Sequence, residues 1–272
     1  AAIAREYPLS YYGWRALSRA PRNGKPAATT RIARGRSRLS PRDLARPRIL
    51  LGAGMVLEAN EELRRVSARA RSLQDRLELA QLFTDAEDFH RAQLLIVEAY
   101  TEPLARGPVP NLEELWWYAW PAAYADLVGP ATASRNDVDS DLVYSIMREE
   151  SGYRPSVVSV SGARGLLQIM SETGARLARD VGHRSFSVDD LFEPKTNIGL
   201  GSHYLGQLSR RFDGQLSAAV AGYNAGPQAV STWLRQRTSP EDDEWVESIP
   251  YDQTRSYVKR VLRSLHAYRV LY

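Results

Sequence analysis

The sequence predicts an all-α protein, mainly helical, in two parts. Apolar residues recur at three- and four-residue spacing through most segments outside the glycine- and proline-rich connections. Only one short run, Val157–Ser161, reads as a strand, so at most a small β-hairpin is expected. The 272 residues are 43% hydrophobic and 25% charged, a globular composition long enough for one large or two ordinary domains.

Composition also excludes several chemistries. There is no cysteine, hence no disulfide framework, no thiol nucleophile and no cysteine-ligated zinc or iron–sulfur site. His90, His183, His203 and His266 are scattered without an H-x-x-x-H spacing, so no metal site is expected. The net charge of +4 favours anionic partners: nucleic acid, anionic lipid or an acidic cell-wall polymer. No apolar run approaches the roughly 18 residues of a membrane-spanning helix. The chain opens Ala-Ala-Ile-Ala-Arg-Glu-Tyr, with no initiator Met and no signal-like segment, and reads as a processed or excised piece.

Taken in order, Tyr7–Ala20 is helix-like. Eleven basic residues lie between Arg15 and Arg48, with Asp43 the only acid among them. Within this stretch Pro21–Pro47, with Gly24, Pro26, Gly35 and Pro41, reads as an exposed loop, either a solvated connection or a contact for an anionic polymer. Met55–Arg65, Ala70–Phe83 and Ala86–Tyr100 are amphipathic helices, with Asp85 as N-cap of the last. Their short connections suggest antiparallel pairs, as in a helical solenoid. Gly107-Pro-Val-Pro110 breaks the pattern. The aromatic segment Leu112–Val128 follows, with Pro121 set to start or kink a helix. Gly129–Asn136 reads as a linker, which places a boundary between parts 1–134 and 135–272.

The second part begins with a helix over Val138–Ser151, capped by Asp137 or Asp139. Ser151–Gly165, with Gly152, Pro155, Gly162 and Gly165, is a loop or short hairpin. Helices are expected over Leu166–Asp180, Asn197–Phe212, Leu216–Tyr223, Pro227–Arg237 and Thr254–Tyr268. In the first of these helices Leu142, Ile146 and Glu150 fall at i, i+4 and i+8, so Glu150 sits in the middle of an apolar stripe and Glu149 toward its edge. A carboxylate on a buried face is costly unless protonated or paired. Burial would raise its pKa, which suits a general acid; the alternative is an ion pair with Arg148, Arg154 or Arg164.

Four motifs then follow in order. Glu150-Ser151 leads to Gly162-Ala163-Arg164-Gly165-Leu166-Leu167-Gln168, to Ala221-Gly222-Tyr223-Asn224-Ala225-Gly226, and to Ile249-Pro250-Tyr251-Asp252-Gln253-Thr254-Arg255-Ser256-Tyr257-Val258. Together they resemble the soluble lytic murein transglycosylases of family 1, the Slt type with a goose-lysozyme-like catalytic domain. The resemblance is close over Asp137–Tyr272 and looser upstream, through Tyr118–Val128 and Tyr7–Gly13. It implies a superhelix or linker region over 1–134, truncated at its N-terminus, and a lysozyme-like SLT catalytic domain over 135–272.

The same resemblance implies an enzyme, a lyase of the bacterial periplasm or cell envelope acting on peptidoglycan glycan strands, with cell-wall protein partners. It matches Glu150 to a single catalytic acid and base, Ser159 to a residue that holds the reacting sugar, and Gln168, Met170, Tyr223 and Asn224 to groove residues. Gln253 stands where the family has a glutamate, Leu167 where it has Met, and Gly222 where it has Ala. The implied reaction cuts between N-acetylmuramic acid and N-acetylglucosamine and leaves a 1,6-anhydro end, without metal or cofactor. The alternatives are a goose-type hydrolase and a non-catalytic murein-binding module. No nucleic-acid motif accompanies the basic stretch, so no nucleic-acid partner is expected. Tyr153, Tyr204, Tyr223, Trp233, Trp245, Tyr251 and Tyr257 could offer stacking faces to sugar, with core packing expected for about half of them.

Overall fold

The structure, a computed structural model, describes residues 2–19, 32–133 and 137–272. Among the described residues it holds fifteen α-helices, one short 3-10 helix and no named strand. The chain divides into two compact units, Ala1–Pro121 and Ala122–Val270.

The first unit contains α1 (Ala2–Glu6), α2 (Tyr11–Arg19), α3 (Pro41–Gly52), α4 (Val56–Ser67), α5 (Leu73–Asp85), α6 (Phe89–Ala105) and α7 (Glu114–Ala119). From α3 onward each helix packs on the next, burying Leu44, Leu63, Leu77, Leu79, Ile96 and Trp116. Two capping boxes set helix starts, Ser40 with Asp43 on α3 and Ser72 with Asp75 on α5. Asp75 is fully buried and accepts from the backbone N–H groups of Arg38, Leu39, Arg71 and Ser72 and from the Ser37 hydroxyl. Burial alone would raise its pKa, but these donors outweigh it and hold the carboxyl well below the usual range.

This unit corrects three expectations. The loop expected over Pro21–Pro47 is partly outside the described residues, and its last part is helix. Pro41 takes the first helical position, where a missing N–H costs nothing, and Pro47 is accommodated inside α3. The cap of α6 is Asp88, not Asp85; its Oδ1 accepts from the Arg91 N–H at 3.0 Å. That helix also continues past Tyr100, across a kink with φ −131° and ψ 27° at that residue, and Pro103 lies three residues beyond.

The second unit contains α8 (Ala125–Ala133), α9 (Ser140–Glu150), α10 (Ser171–Asp180), the 3-10 helix Val188–Phe192, α11 (Pro194–Arg211), α12 (Leu216–Ala225), α13 (Pro227–Arg235), α14 (Asp242–Ser248) and α15 (Asp252–Leu271). Helix α8 takes up most of the expected linker Gly129–Asn136, because Val128 and Thr132 bury one face across the Gly-Pro pair. Asp139 caps α9 through the Leu142 N–H at 2.8 Å. Helix α14 was not expected; its Asp-Asp-Glu start carries no apolar period, and only Trp245 and Val246 are buried.

The segment between α9 and α10 positions the site. Val158, Arg164 and Ile169 form only isolated antiparallel bridges, so Val157–Ser161 is not a regular strand. Leu166–Gln168 is a turn rather than the start of a helix, closed by reciprocal backbone bonds between Arg164 and Ile169 at 3.0 Å. One buried side chain on α11 holds this turn. The Asn197 amide donates to Arg164 O at 3.0 Å and Leu191 O at 2.7 Å, and accepts from the Leu167 N–H at 2.7 Å. Gly165 must be glycine here: its φ is +76°, and a Cβ would lie 2.1 Å from Leu191 O and 2.3 Å from Asn197 Nδ2.

Replacing Asn197 by Ala leaves three buried backbone groups without this partner. A loss of about 2–4 kcal/mol is expected, read as a lower denaturation midpoint. Asn197→Asp, which keeps the acceptor but turns a carboxylate oxygen toward the two carbonyls, should be destabilised at least as much as Ala.

Candidate active site

Two adjacent glutamates end α9, and their surroundings differ sharply. Glu149 is engaged by several groups: Arg148 and the Ser264 hydroxyl donate to Oε1, both at 3.1 Å, and Arg260 Nε donates to Oε2 at 3.0 Å. Glu150 has no ion pair among the described residues. It accepts one hydrogen bond, from the Tyr257 hydroxyl of α15 to Oε1 at 2.6 Å. The cations considered as its partners are used elsewhere. Arg148 pairs with Glu149, Arg154 Nε donates to Ser151 O, and Arg164 donates to Gly162 O and the Ser171 hydroxyl.

Burial raises the Glu150 pKa, the Tyr257 hydrogen bond lowers it, the Glu149 charge raises it and the Arg260 charge lowers it. The net result is a carboxyl pushed up to about 7. Tyr257 and Tyr223 are held well above the ordinary phenol value, first by burial and then by the Glu150 charge, so both remain donors at neutral pH. The site therefore holds one carboxyl able to give and take a proton near neutrality, oriented by a phenol that stays protonated.

Tyr223, on α12, feels the Glu150 charge and donates to Leu167 O at 2.6 Å. The Leu167 peptide is thus held at its N–H by Asn197 and at its carbonyl by Tyr223. Neighbouring Asn224 accepts from the Thr254 hydroxyl at 2.8 Å, which fixes the amide and leaves its Nδ2 without a partner among the described residues. Gln253 is exposed on the first turn of α15, and Met170 is exposed at the start of α10. Ser159 sits in a tight turn, its hydroxyl accepting from the Ala163 N–H at 3.0 Å. Gln168 has φ +45° and spends its amide on Val157 O and Gly165 O.

The aromatic residues divide. Tyr153, Trp245 and Tyr257 are buried and offer no face to a ligand, whereas Tyr204, Tyr223 and Trp233 are half-buried and Tyr251 is exposed. Tyr204 and Tyr223 rings lie 5.4 Å apart, and Trp233 meets Tyr251 edge-on at 5.0 Å. Two of the three departures from the family motifs, Gly222 and Leu167, have close neighbours. A Cβ on Gly222 would come within 2.9 Å of the Phe212 ring, and one on Gly201 within 2.3 Å of the Leu167 side chain. Sequence reasoning missed Asn197 and Thr254, and took Tyr257 as a stacking face rather than the donor to Glu150. The spacing of Thr254 and Tyr257, one turn apart on α15, was the available signal.

Known proteins share this arrangement of helices. The Transglycosylase SLT domain family model matches residues 130–246. The soluble lytic murein transglycosylase of Salmonella typhimurium is 39% identical over 150 residues, 53% of this chain and 22% of that protein. The endo-type membrane-bound lytic murein transglycosylase A of Klebsiella pneumoniae is 31% identical over 189 residues, 62% of this chain and 89% of that protein. The crystal structure of the 70 kDa soluble lytic transglycosylase of Escherichia coli superposes with a TM-score of 0.75 at 26% identity, covering 99% of this chain and 42% of that one. An inactive Glu-to-Gln mutant of the lytic transglycosylase Slt of Pseudomonas aeruginosa superposes at 0.69 with 28% identity, covering 96% and 41%. The chain spans about a fifth of the length of the soluble Salmonella relative. By domain, sequence and fold, this chain belongs to the lytic murein transglycosylases of the SLT type.

Proposed function

We propose that the chain is a peptidoglycan lytic transglycosylase that works in the periplasm or cell envelope and uses Glu150 as acid and then base. The observation that carries this reading is the Glu150 carboxyl: no ion pair among the described residues, one phenolic donor, and a pKa pushed up to about 7. Most glycosidases use two carboxylates, and here the adjacent Glu149 is committed to Arg148 and Arg260. No helix among the described residues is long and apolar enough to cross a membrane.

In the first step protonated Glu150 gives its proton to the oxygen between N-acetylmuramic acid and N-acetylglucosamine. The C1–O4 bond breaks, and N-acetylglucosamine leaves with a free 4-hydroxyl. The muramoyl N-acetyl group supports the electron-poor C1. In the second step the Glu150 carboxylate takes the proton of the C6 hydroxyl while O6 closes on C1. The product is a 1,6-anhydromuramoyl end, Glu150 is again protonated, and no water is consumed. A carboxyl poised near 7 suits both halves of this cycle.

The same reading gives Ser159, Gln168, Met170, Tyr223, Asn224 and Gln253 to the sugar groove. Their roles differ with their bonds. The free Nδ2 of Asn224 is a fixed donor, and Tyr223 shapes the wall beside Glu150. Gln253 offers neutral hydrogen-bond partners where a carboxylate would add charge. Gln168, its amide spent on two carbonyls, shapes the turn and can present only its acceptor oxygen.

Mass spectrometry of soluble products from sacculi tests the reaction. Wild type should release anhydromuropeptides and Glu150→Gln should release none. Products one water heavier would move the chain to the hydrolases, and no products from either would leave a murein-binding module.

Because Glu150 must begin protonated, the release rate should fall as pH rises through about 7. Tyr257→Phe removes a bond that favours the carboxylate. Its rate profile should shift to higher pH, with a maximum on the order of tenfold lower. Stability should mirror the same shift. The folded pKa lies above the unfolded one, so the stabilising contribution is complete below the model-peptide value and is lost as pH rises toward 7. Thermal melting at pH 8 should therefore find Glu150→Gln more stable than wild type by roughly 1–3 kcal/mol, with the gap closing below pH 4.

A further inference from the structure

We infer that the groove between α10 and the turn that follows it is a second binding site, for a free carboxylate next to a small aliphatic group, as found at the C-terminus of a short peptide. The groove has a volume of about 480 Å³, within the range of small-ligand sites. Ala175, Ala178 and Arg179 of α10 line one side, and Gly182, His183, Arg184 and Phe186 of the turn that follows line the other. It shares no lining residue with the Glu150 site.

The chemistry of the walls selects the ligand. Arg179 and Arg184 are exposed, and neither guanidinium is paired or hydrogen-bonded among the described residues. Guanidinium groups favour planar carboxylates. The neighbouring acid does not neutralise them: Asp180 accepts from Arg176 and Gln207, on the side of α11. A helix C-terminus would ordinarily repel an anion. Here its carbonyls are capped, because Gly182, at φ +76°, donates to Arg179 O and His183 donates to Ala178 O.

The floor is apolar. Ala175, Ala178 and Phe186 line it together, and the Phe186 ring meets His183 edge-on at 6.0 Å. An inorganic oxyanion would use the arginines and waste this floor, whereas an alanine-like residue with a free carboxylate would use both. The inference goes beyond the catalytic reading, since it requires no turnover. If the glycan reaction also holds, this site would hold peptide termini of the same wall polymer.

Calorimetric titration of the full chain tests it, with N-acetyl-D-alanyl-D-alanine, its C-terminal amide and inorganic phosphate as probes. The acid should saturate in roughly the millimolar range, with the amide about tenfold weaker or worse. Arg179→Ala combined with Arg184→Ala should weaken the acid by a similar factor, and Phe186→Ala should weaken the acid but not phosphate. Glu150→Gln should titrate as wild type, which separates failure here from failure of the catalytic proposal. Equal binding of acid and amide, phosphate binding as tight as the dipeptide, or no saturation would each overturn the inference. The acid and amide comparison is made on wild type, so it stands even if the double variant is unstable.

Discussion

The amide of Asn197 is the constraint on which the second unit's chemistry depends. Without a regular strand, the segment 157–170 has few ladder bonds to hold it, yet it carries Ser159, Gln168 and Met170. One buried side chain replaces a sheet. It satisfies the Leu167 N–H and the carbonyls of Arg164 and Leu191, and so ties the turn both to α11 and to the 3-10 helix. A buried amide with all its partners present rigidifies its surroundings; a partial set would be worse than none. Gly165 completes the device by letting backbone and amide approach closely.

Charge is then distributed unequally between neighbours. Glu149 collects two arginines and a serine hydroxyl. Glu150, one residue on, is left with a phenol. The helical turn of about 100° per residue is the cause: it points the first carboxylate toward Arg260 and Ser264 and the second toward Tyr257 on the same helix. The ion-paired glutamate also raises the pKa of its neighbour, so the cluster that ties α9 to α15 through side-chain bonds contributes to the reactivity of the site as well.

Much of this was legible from the residues. Apolar periodicity located α9, α11, α12 and α15, and placed Glu150 within a buried stripe before any contact was known. The misses have physical reasons. Pro41 and Pro47 read as loop markers because a proline at a helix start, or one accommodated within a helix, looks the same in sequence as a breaker. Helix α14 opens with three acids, so it has no period to detect. Asn197 resembles any surface amide until α11 is packed, and the Tyr257 bond joins residues 107 apart in the chain, a distance that no local pattern crosses. Motif resemblance supplied what periodicity could not, the joint order of four segments, but it gave no bonds.

The approach of Phe212 to Gly222 has a consequence for how this domain can vary. The ring of Phe212 occupies the space that a methyl group at position 222 would need, so the two positions share one volume although they sit on different segments. Alanine at 222 and a large aromatic at 212 are alternatives rather than independent choices. Their substitution effects will not add. Sequence drift in this domain is therefore paired across the interior, and a change at 222 can be neutral or damaging depending on which residue stands at 212.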